Sequence, residues 1–520
     1  VRAIGIWPGA INILWNNGFF RVNISCRLRN LGVRPVCVAV LAAVLLLWPT
    51  LFQAETDPTI KRRPAEIQIT GRADVDRLVA LGLIIDNVTS DRVRAYLNPD
   101  EFARVERLGL PVRWLPNTEQ TRLKQYLTRP RATREITGYP TFEELTAELQ
   151  ALAAAYPDLC HLESAGQSVE GRDLWWLKIS DNVGNEEDEP EFHYIASMHG
   201  DEPVGMILCL KLARYLLEQY GIDPRITQLV NETEIWIMPL MNPDGYMAVP
   251  NPTRLNAHDK DLNRSFPDPA NDDPNTTDGK EPEVQAVMNW FQAHTPTLAA
   301  NLHGGALLVA YPWDGTYDPS PDDALYIDLA ITYSQANAEM WNDPYPPYDQ
   351  GIVQGAYWYY VHGGMMDWAY NWMGCLEVTI EVSKEYVPEE SELPGYWEAN
   401  RESLLAYMGQ VHRGVRGLVT DASTGLPLAA SIRVDDNPIA VFTDPDVGDY
   451  HRLLLPGAYT LTVTADGYQT RTVTGVVVTD GAAVAVNVTL TPEPDEGDGG
   501  GGGGGGGCFI RVLTTRPVFP

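Results

Sequence analysis

The hydrophobic pattern changes period several times along the chain, and each change marks an element. Between residues 66 and 116, "EIQIT", "RVRAYL" and "PVRWL" are short apolar runs of strand type. Between them, "DVDRLVALG" and "PDEFARVERLG" repeat apolar positions at helical spacing. The order strand, helix, strand, helix, strand predicts a small α/β module. The polar, Arg-rich "TRLKQYLTRPRATREITG" that follows has the composition of a linker. From Tyr139 to about Gln410 the pattern becomes that of one large α/β domain. "TFEELTAELQALAAAYP" is an amphipathic helix with Thr141 as N-cap and Glu144 three residues on, the spacing of a capping box. "VGMILCLKLARYLLEQY" is a long helix, and "DLWWLKIS", "EFHYIASM", "TEIWIMPL", "LAANLHG" and "CLEVTIEV" are strands. Such alternation predicts a mixed, largely parallel sheet covered by helices on both faces. From about Val411 to Leu490 helical periodicity stops. There "GVRGLVTD", "GAYTLTVTADGY" and "AVAVNVTL" alternate with turn residues, as in a small β-sandwich.

The expected division is therefore a leader over 1–54, a propeptide-like α/β module over 55–117, a linker over 118–138, the large α/β domain over 139–410, the β-sandwich over 411–491 and a Gly-rich, Cys-containing tail over 492–520. Within the leader, Arg27, Arg29 and Arg34 precede the apolar core "VCVAVLAAVLLLW" (Val36 to Trp48). That core is shorter than the ~20 residues a membrane span needs, so it reads as a removed signal peptide, with cleavage after Ala54. The first methionine is Met198, so translation is expected to start at another codon or upstream. A start at Val33 leaves residues 1–32 as over-called sequence. The nine-glycine run before Cys508 is a flexible linker. It resembles the sorting tails of Gram-negative bacteria, but no apolar helix follows it, so no anchoring is expected.

Acidic residues outnumber basic ones 69 to 38, for a net charge of −31. This excludes nucleic acid and anionic membrane as expected partners and suits a solvated, exported surface. Export permits disulfides, and a pairing among Cys160, Cys209 and Cys375 is compatible with it.

The candidate chemistry lies at strand ends, where open α/β sheets place their ligand sites. "SMHGDEP" carries His199 and Glu202, and "NLHGG" carries His303. A catalytic zinc needs three protein ligands and one open position, which these three supply. The His-x-x-Glu pair alone does not separate a metal site from a polar loop. Its companions do. "RLNAHDKDLNRSFPD" concentrates Arg254, Asn263 and Arg264, two guanidiniums and an amide suited to a carboxylate. Asp261 in the same segment is placed to accept the second N–H of a metal-bound histidine. In "CLEVTIEVS", alternation puts Glu377, Thr379 and Glu381 on one face. Glu381, nearer the carboxyl end, is the better candidate base.

The ordered motifs "GQSVEGRDLWWLKIS", "HGDEPVG", "MNPDGY", "DLNRSFPD", "NLHGGALLVAYPWD", "YYVHGGMMDW" and "EVTIEVS" resemble those of the zinc carboxypeptidases, specifically the subgroup of carboxypeptidases D, E, M and N. The resemblance spans roughly Tyr139 to Gln410 and continues into the sandwich, which resembles that subgroup's transthyretin-like domain. It implies one Zn2+ per catalytic domain, held by His199, Glu202 and His303. It implies that Arg254 polarises the scissile carbonyl, that Asn263 and Arg264 bind the C-terminal carboxylate, and that Glu381 is general base and then general acid. The family's mobile tyrosine maps to Tyr359, with Tyr357 and Tyr360 as neighbouring alternatives. Asp261 falls on the aspartate that orients a zinc-bound histidine. Asp314 in "YPWD" matches the acidic residue that favours C-terminal Lys or Arg. Met366 stands where basic-specific members often carry glutamine.

The implied function is that of an exported, monomeric metallocarboxypeptidase acting on peptide or protein C-termini, extracellular or at the surface or periplasm of a bacterium. Two other readings compete. The same zinc chemistry and carboxylate clamp serve cell-wall peptides or N-acyl amino acids, and the scaffold also serves non-catalytic peptide-binding or adhesion proteins. Degenerate members lose the base or the ligands. This sequence retains both.

Overall fold

The computed structural model describes residues 11–16, 19–24, 62–129, 138–343 and 349–494, in two units, Val1–Lys61 and Arg62–Pro520. In the first, β1 (Ile11–Asn16) pairs antiparallel with β2 (Phe19–Ile24). The expected signal core and the Gly-rich tail with Cys508 lie outside the described residues.

The second unit opens with a four-stranded antiparallel sheet of β3 (Arg63–Gln68), β4 (Ile84–Val88), β5 (Arg92–Leu97) and β6 (Val112–Trp114), in the order β4-β5-β3-β6. Helices Arg72–Ala80 and Pro99–Arg107 complete it. Two features depart from the sequence reading. Strand β4 was not expected, because Asp86 and Asn87 interrupt the short apolar run that forms it. Residues 118–138 were expected as linker, yet Thr118–Thr128 is a helix. Its pattern is weakly amphipathic; what holds it is the burial of Leu123 against the large domain's core.

The large domain is built on a mixed eight-stranded sheet: β7 (Cys160–Gln167), β8 (Asp173–Ile179), β9 (Glu191–Ala196), β10 (Glu234–Met238), β11 (Leu298–His303), β12 (Ala306–Tyr311), β13 (Ile352–Gln354) and β14 (Leu376–Ser383). Their order is β13-β12-β14-β11-β9-β10-β8-β7. The four central strands β14, β11, β9 and β10 are parallel, as a sheet with helices on both faces should be. Phe192, Tyr194 and Ala196 of β9 face one apolar cluster, with helices Val204–Gln219 and Leu393–Met408. Ile195 faces the other, with Trp176, Trp236, Trp290 and Phe291. The predicted capping box is formed: the Thr141 hydroxyl accepts from Glu144 N (3.2 Å), and Thr141 N donates to Glu144 Oε2 (2.9 Å).

The sandwich pairs β15 (Val415–Asp421) with β18 (Asp449–Arg452), β21 (Val484–Ala485) and β22 (Val488–Leu490). Its second sheet holds β16 (Ser431–Val434), β17 (Val441–Phe442), β19 (Gly457–Thr464) and β20 (Arg471–Val478). The pairing that export would permit among the first three cysteines does not form: Cys160, Cys209 and Cys375 are buried, free thiols. Burial pushes the Cys160 thiol up to about 12, which suits an inert core residue. Among the described residues, no helix is long and apolar enough to cross a membrane.

Candidate active site

Four parallel strands end on one side of the sheet, and the candidate residues gather there. β9 runs into Ser197, whose φ of 51° turns the chain so that His199 and Glu202 face the end of β11. Gly200 is required between them. A Cβ there would sit 2.2 Å from the backbone of Gly245 and Tyr246, which is how the "HGDEP" and "MNPDGY" turns pack. His303 is the last residue of β11 and lies beside Glu381 of β14 in parallel register.

His199 Nδ1 is 2.9 Å from Glu202 Oε1 and 3.0 Å from His303 Nδ1, and His303 Nδ1 is 2.9 Å from Glu202 Oε2. Ligand atoms about 2.0–2.2 Å from one zinc are separated by roughly 3.3 Å in a tetrahedron, so this buried triad fits the ion. Two imidazole Nδ1 atoms and a carboxylate converge on one point, and the donor set is that of a catalytic zinc. Asp261 Oδ1 accepts from His199 Nε2 (3.1 Å), which leaves the Nδ1 lone pair facing the metal position. Burial opposes ionisation of Asp261, but Arg254, Arg264 and His199 outweigh it and hold its carboxyl well below the usual range.

Arg254 is buried and held by Asp261 Oδ2 (2.9 Å) and Glu202 Oε1 (3.0 Å). One cavity is lined by His199, His303, Arg254, Asn263, Asp314, Tyr359 and Glu381. Burial, then the charges of Glu202 and Asp86, push the Glu381 carboxyl well above its ordinary value. One Glu381 oxygen has no hydrogen-bond partner in the protein. Arg264 is half-buried and is not among the lining residues; its Nη1 donates to Asn263 O (2.8 Å). Asp314 enters the cavity because position 355 is glycine: a Cβ there would lie 1.6 Å from Asp314 Oδ1. Burial and neighbouring Asp367 push the Asp314 carboxyl well above its usual range. Met366 does not line the cavity; it is buried with its sulfur 3.9 Å from the Thr379 hydroxyl.

The sequence reading missed three participants. Thr379 lines the cavity. Asp367 accepts hydrogen bonds from Asp314 N and Gly315 N, fixing the loop that presents Asp314. Asp86 of β4 also lines the cavity and pairs with Arg254, while its other oxygen lies 3.0 Å from Arg94 Nε. The Asp86 carbonyl accepts from the Tyr359 hydroxyl (3.0 Å) and the Ile85 carbonyl from Arg264 Nη2 (2.8 Å). Tyr96 and Gln120 donate to Asp201, and Trp358 Nε1 donates to Val88 O (3.0 Å). The module's core, with Ile67, Ile85 and Val93, is continuous with Leu308, Trp358 and Tyr359 of the large domain. The signal available in sequence was Asp86 itself, a charge inside an apolar run.

Residues 145–403 match the family model for zinc carboxypeptidase, and 414–491 that for a carboxypeptidase regulatory-like domain. Carboxypeptidase D of Homo sapiens is 43% identical over 364 residues, covering 66% of this chain and 26% of its own length. The chain thus spans about a quarter of that relative. Carboxypeptidase M of Mus musculus is 41% identical, covering 63% of this chain and 78% of its own. The carboxypeptidase N catalytic chain of Homo sapiens is 39% identical, covering 65% and 82%. Among solved structures, carboxypeptidase A of Helicoverpa armigera shares the fold, with a TM-score of 0.55 at 17% identity over 67% of this chain and 97% of that one.

Proposed function

The chain belongs to the zinc carboxypeptidase family, and from that premise we propose that it is an exported zinc-dependent carboxypeptidase that removes C-terminal residues, with Lys and Arg preferred. The observation that carries this reading is the convergence of His199, Glu202 and His303 beside Glu381 and Arg254 around one cavity.

Zinc held by His199, Glu202 and His303 would supply a Lewis acid and would lower the pKa of a bound water to about 7. Glu381 takes the proton of the attacking water and delivers it to the leaving nitrogen as the C–N bond breaks. Burial raises the Glu381 carboxyl, which suits it to return a proton to the leaving nitrogen, while the charge of a bound zinc would favour the ionised form that first accepts one. Arg254, a buried permanent cation, donates to the carbonyl oxygen as negative charge develops there. Asn263 and Arg264 hold the substrate's terminal carboxylate, and Tyr359 covers it. Asp314 offers a buried carboxylate to a cationic side chain, whose binding would favour its ionised form. Peptides ending in Arg, Lys, Phe, Leu and Glu, with and without chelator, test the reading. Release of the basic residues, lost on chelation, is expected. No release, or release indifferent to chelation, overturns it; equal rates for Phe and Arg overturn the role of Asp314 alone.

We further propose that the module over 62–116 is an inhibitory prosegment. Its β4 already engages Arg254, Arg264 and Tyr359, three groups that the substrate needs. Cleavage between the module and the large domain, followed by dissociation of the module, is expected to raise activity; an intact chain as active as the cleaved one sinks this reading.

A further inference from the structure

At the opposite end of the sheet from the catalytic residues, the large domain and the sandwich line a small open cleft with about 20 Å³ of space accessible to water. The loop before β9 supplies Glu186, Glu187 and Glu189, while β9 and β10 begin with Glu191 and Glu234. The sandwich contributes Asp444 and Asp449. No Lys or Arg is among the lining residues. Carboxylate oxygens of Glu186, Glu191 and Asp444 lie within 4.8 Å of one another. That is the spread spanned by oxygens about 2.3–2.6 Å from one calcium-like ion.

Proximity of acids alone would describe a solvated patch. Here, two buried carboxylates are left incompletely partnered. Asp449, one of the lining residues, is 4% exposed, and its Oδ1 has no hydrogen-bond partner. Glu234 is 1% exposed; Lys178 Nζ stands 2.7 Å from its Oε2, and Oε1 is unpartnered. Other groups facing the cluster do little to balance it. Lys178 Nζ also approaches Glu186 at 3.2 Å, and Arg416 is engaged by Asp188 at 3.0 Å. His193 and His294 contact Glu191, but burial lowers the basicity of both imidazoles. His451 is held by Asp449 Oδ2 at 2.9 Å. Burying this many carboxylates is costly unless a cation shares them.

We infer that this cleft is a second cation site, taking a hard, oxygen-liganded divalent ion of the calcium class and fastening the sandwich to the large domain. The site is independent of the zinc triad and of the reaction assigned to it. Glu186 and Asp444 approach the ion from the two domains, so its removal loosens their junction while the zinc centre stays intact.

The test uses the full chain dialysed into calcium-free buffer, with zinc and calcium contents measured by atomic emission. Calcium chloride is then titrated by calorimetry and by thermal melting. One calcium per chain is expected, with a rise in Tm of about 3 °C or more at millimolar calcium. The double variant Glu186→Gln/Asp444→Asn should bind calcium at least tenfold more weakly while keeping its zinc and its circular dichroism. Terbium luminescence, sensitised by Tyr450 in the cleft wall and quenched by added calcium, reads the same site in Glu186→Gln alone, a substitution at an exposed position outside the core. The inference is overturned if no calcium binds at 1 mM. It is equally overturned if magnesium at matched ionic strength reproduces the whole shift, or if the variants bind as the unaltered chain does.

Discussion

Glu381 and the metal triad were legible in sequence because their chemistry restricts the residue type and their setting restricts the place. A glutamate on an apolar strand and a histidine at a strand end each signal a cost that function must offset. Glu381→Gln is expected to lower kcat by about 10²–10⁴-fold while zinc content is unchanged, since the amide keeps the shape and loses the proton acceptor. Peptide turnover together with metal analysis checks it. Asp261→Asn should weaken zinc binding by about 10–100-fold, measured against a competing chelator, because an amide holds the His199 tautomer less firmly. Asp86 shows the limit of such reading. Nothing local announces that its carboxylate meets Arg254, which is 168 positions away.

Elements with strong period and end signals came through intact. The Phe142–Ala155 helix carries its cap in its own sequence, and Thr141→Ala should cost about 1 kcal/mol in denaturant unfolding. β4 and the Thr118–Thr128 helix did not come through, and for one reason. Neither has enough local preference, and each is held by contacts with the large domain: Ile85 in the shared apolar cluster, Gln120 on Asp201 and Leu123 in the large domain's core. Because β4 docks through a buried ion pair as well as apolar packing, Asp86→Ala should weaken inhibition by the module. An increase in kcat/KM of the intact chain of roughly tenfold or more is expected, as losing one buried charge partner costs several kcal/mol.

For the molecule as a whole, the junction between the large domain and the sandwich makes stability depend on pH. Burial, then neighbouring Glu191, push Glu234 up to about 9, while burial, then Asp181 and Glu187, push Glu189 up to about 8. Both values are raised above the ordinary 4.5, so the folded chain retains protons that the unfolded chain has released. Their contribution is therefore fully present below about pH 4.5 and is lost as pH rises toward 8 and 9. In calcium-free buffer, Tm should fall across that window, and Glu234→Gln should flatten the fall. The sequence by itself determined the α/β-plus-sandwich architecture and singled out His199, Glu202, His303, Glu381, Arg254, Asn263 and Arg264 as candidates for the chemistry. Periodicity is local, and these side chains carry their chemistry with them. Only the tertiary structure decided that β4 of the module contacts Arg254, Arg264 and Tyr359 and that acids from two domains share one cleft. Both depend on long-range packing, which brings together residues whose own neighbours in the chain give no sign of the meeting.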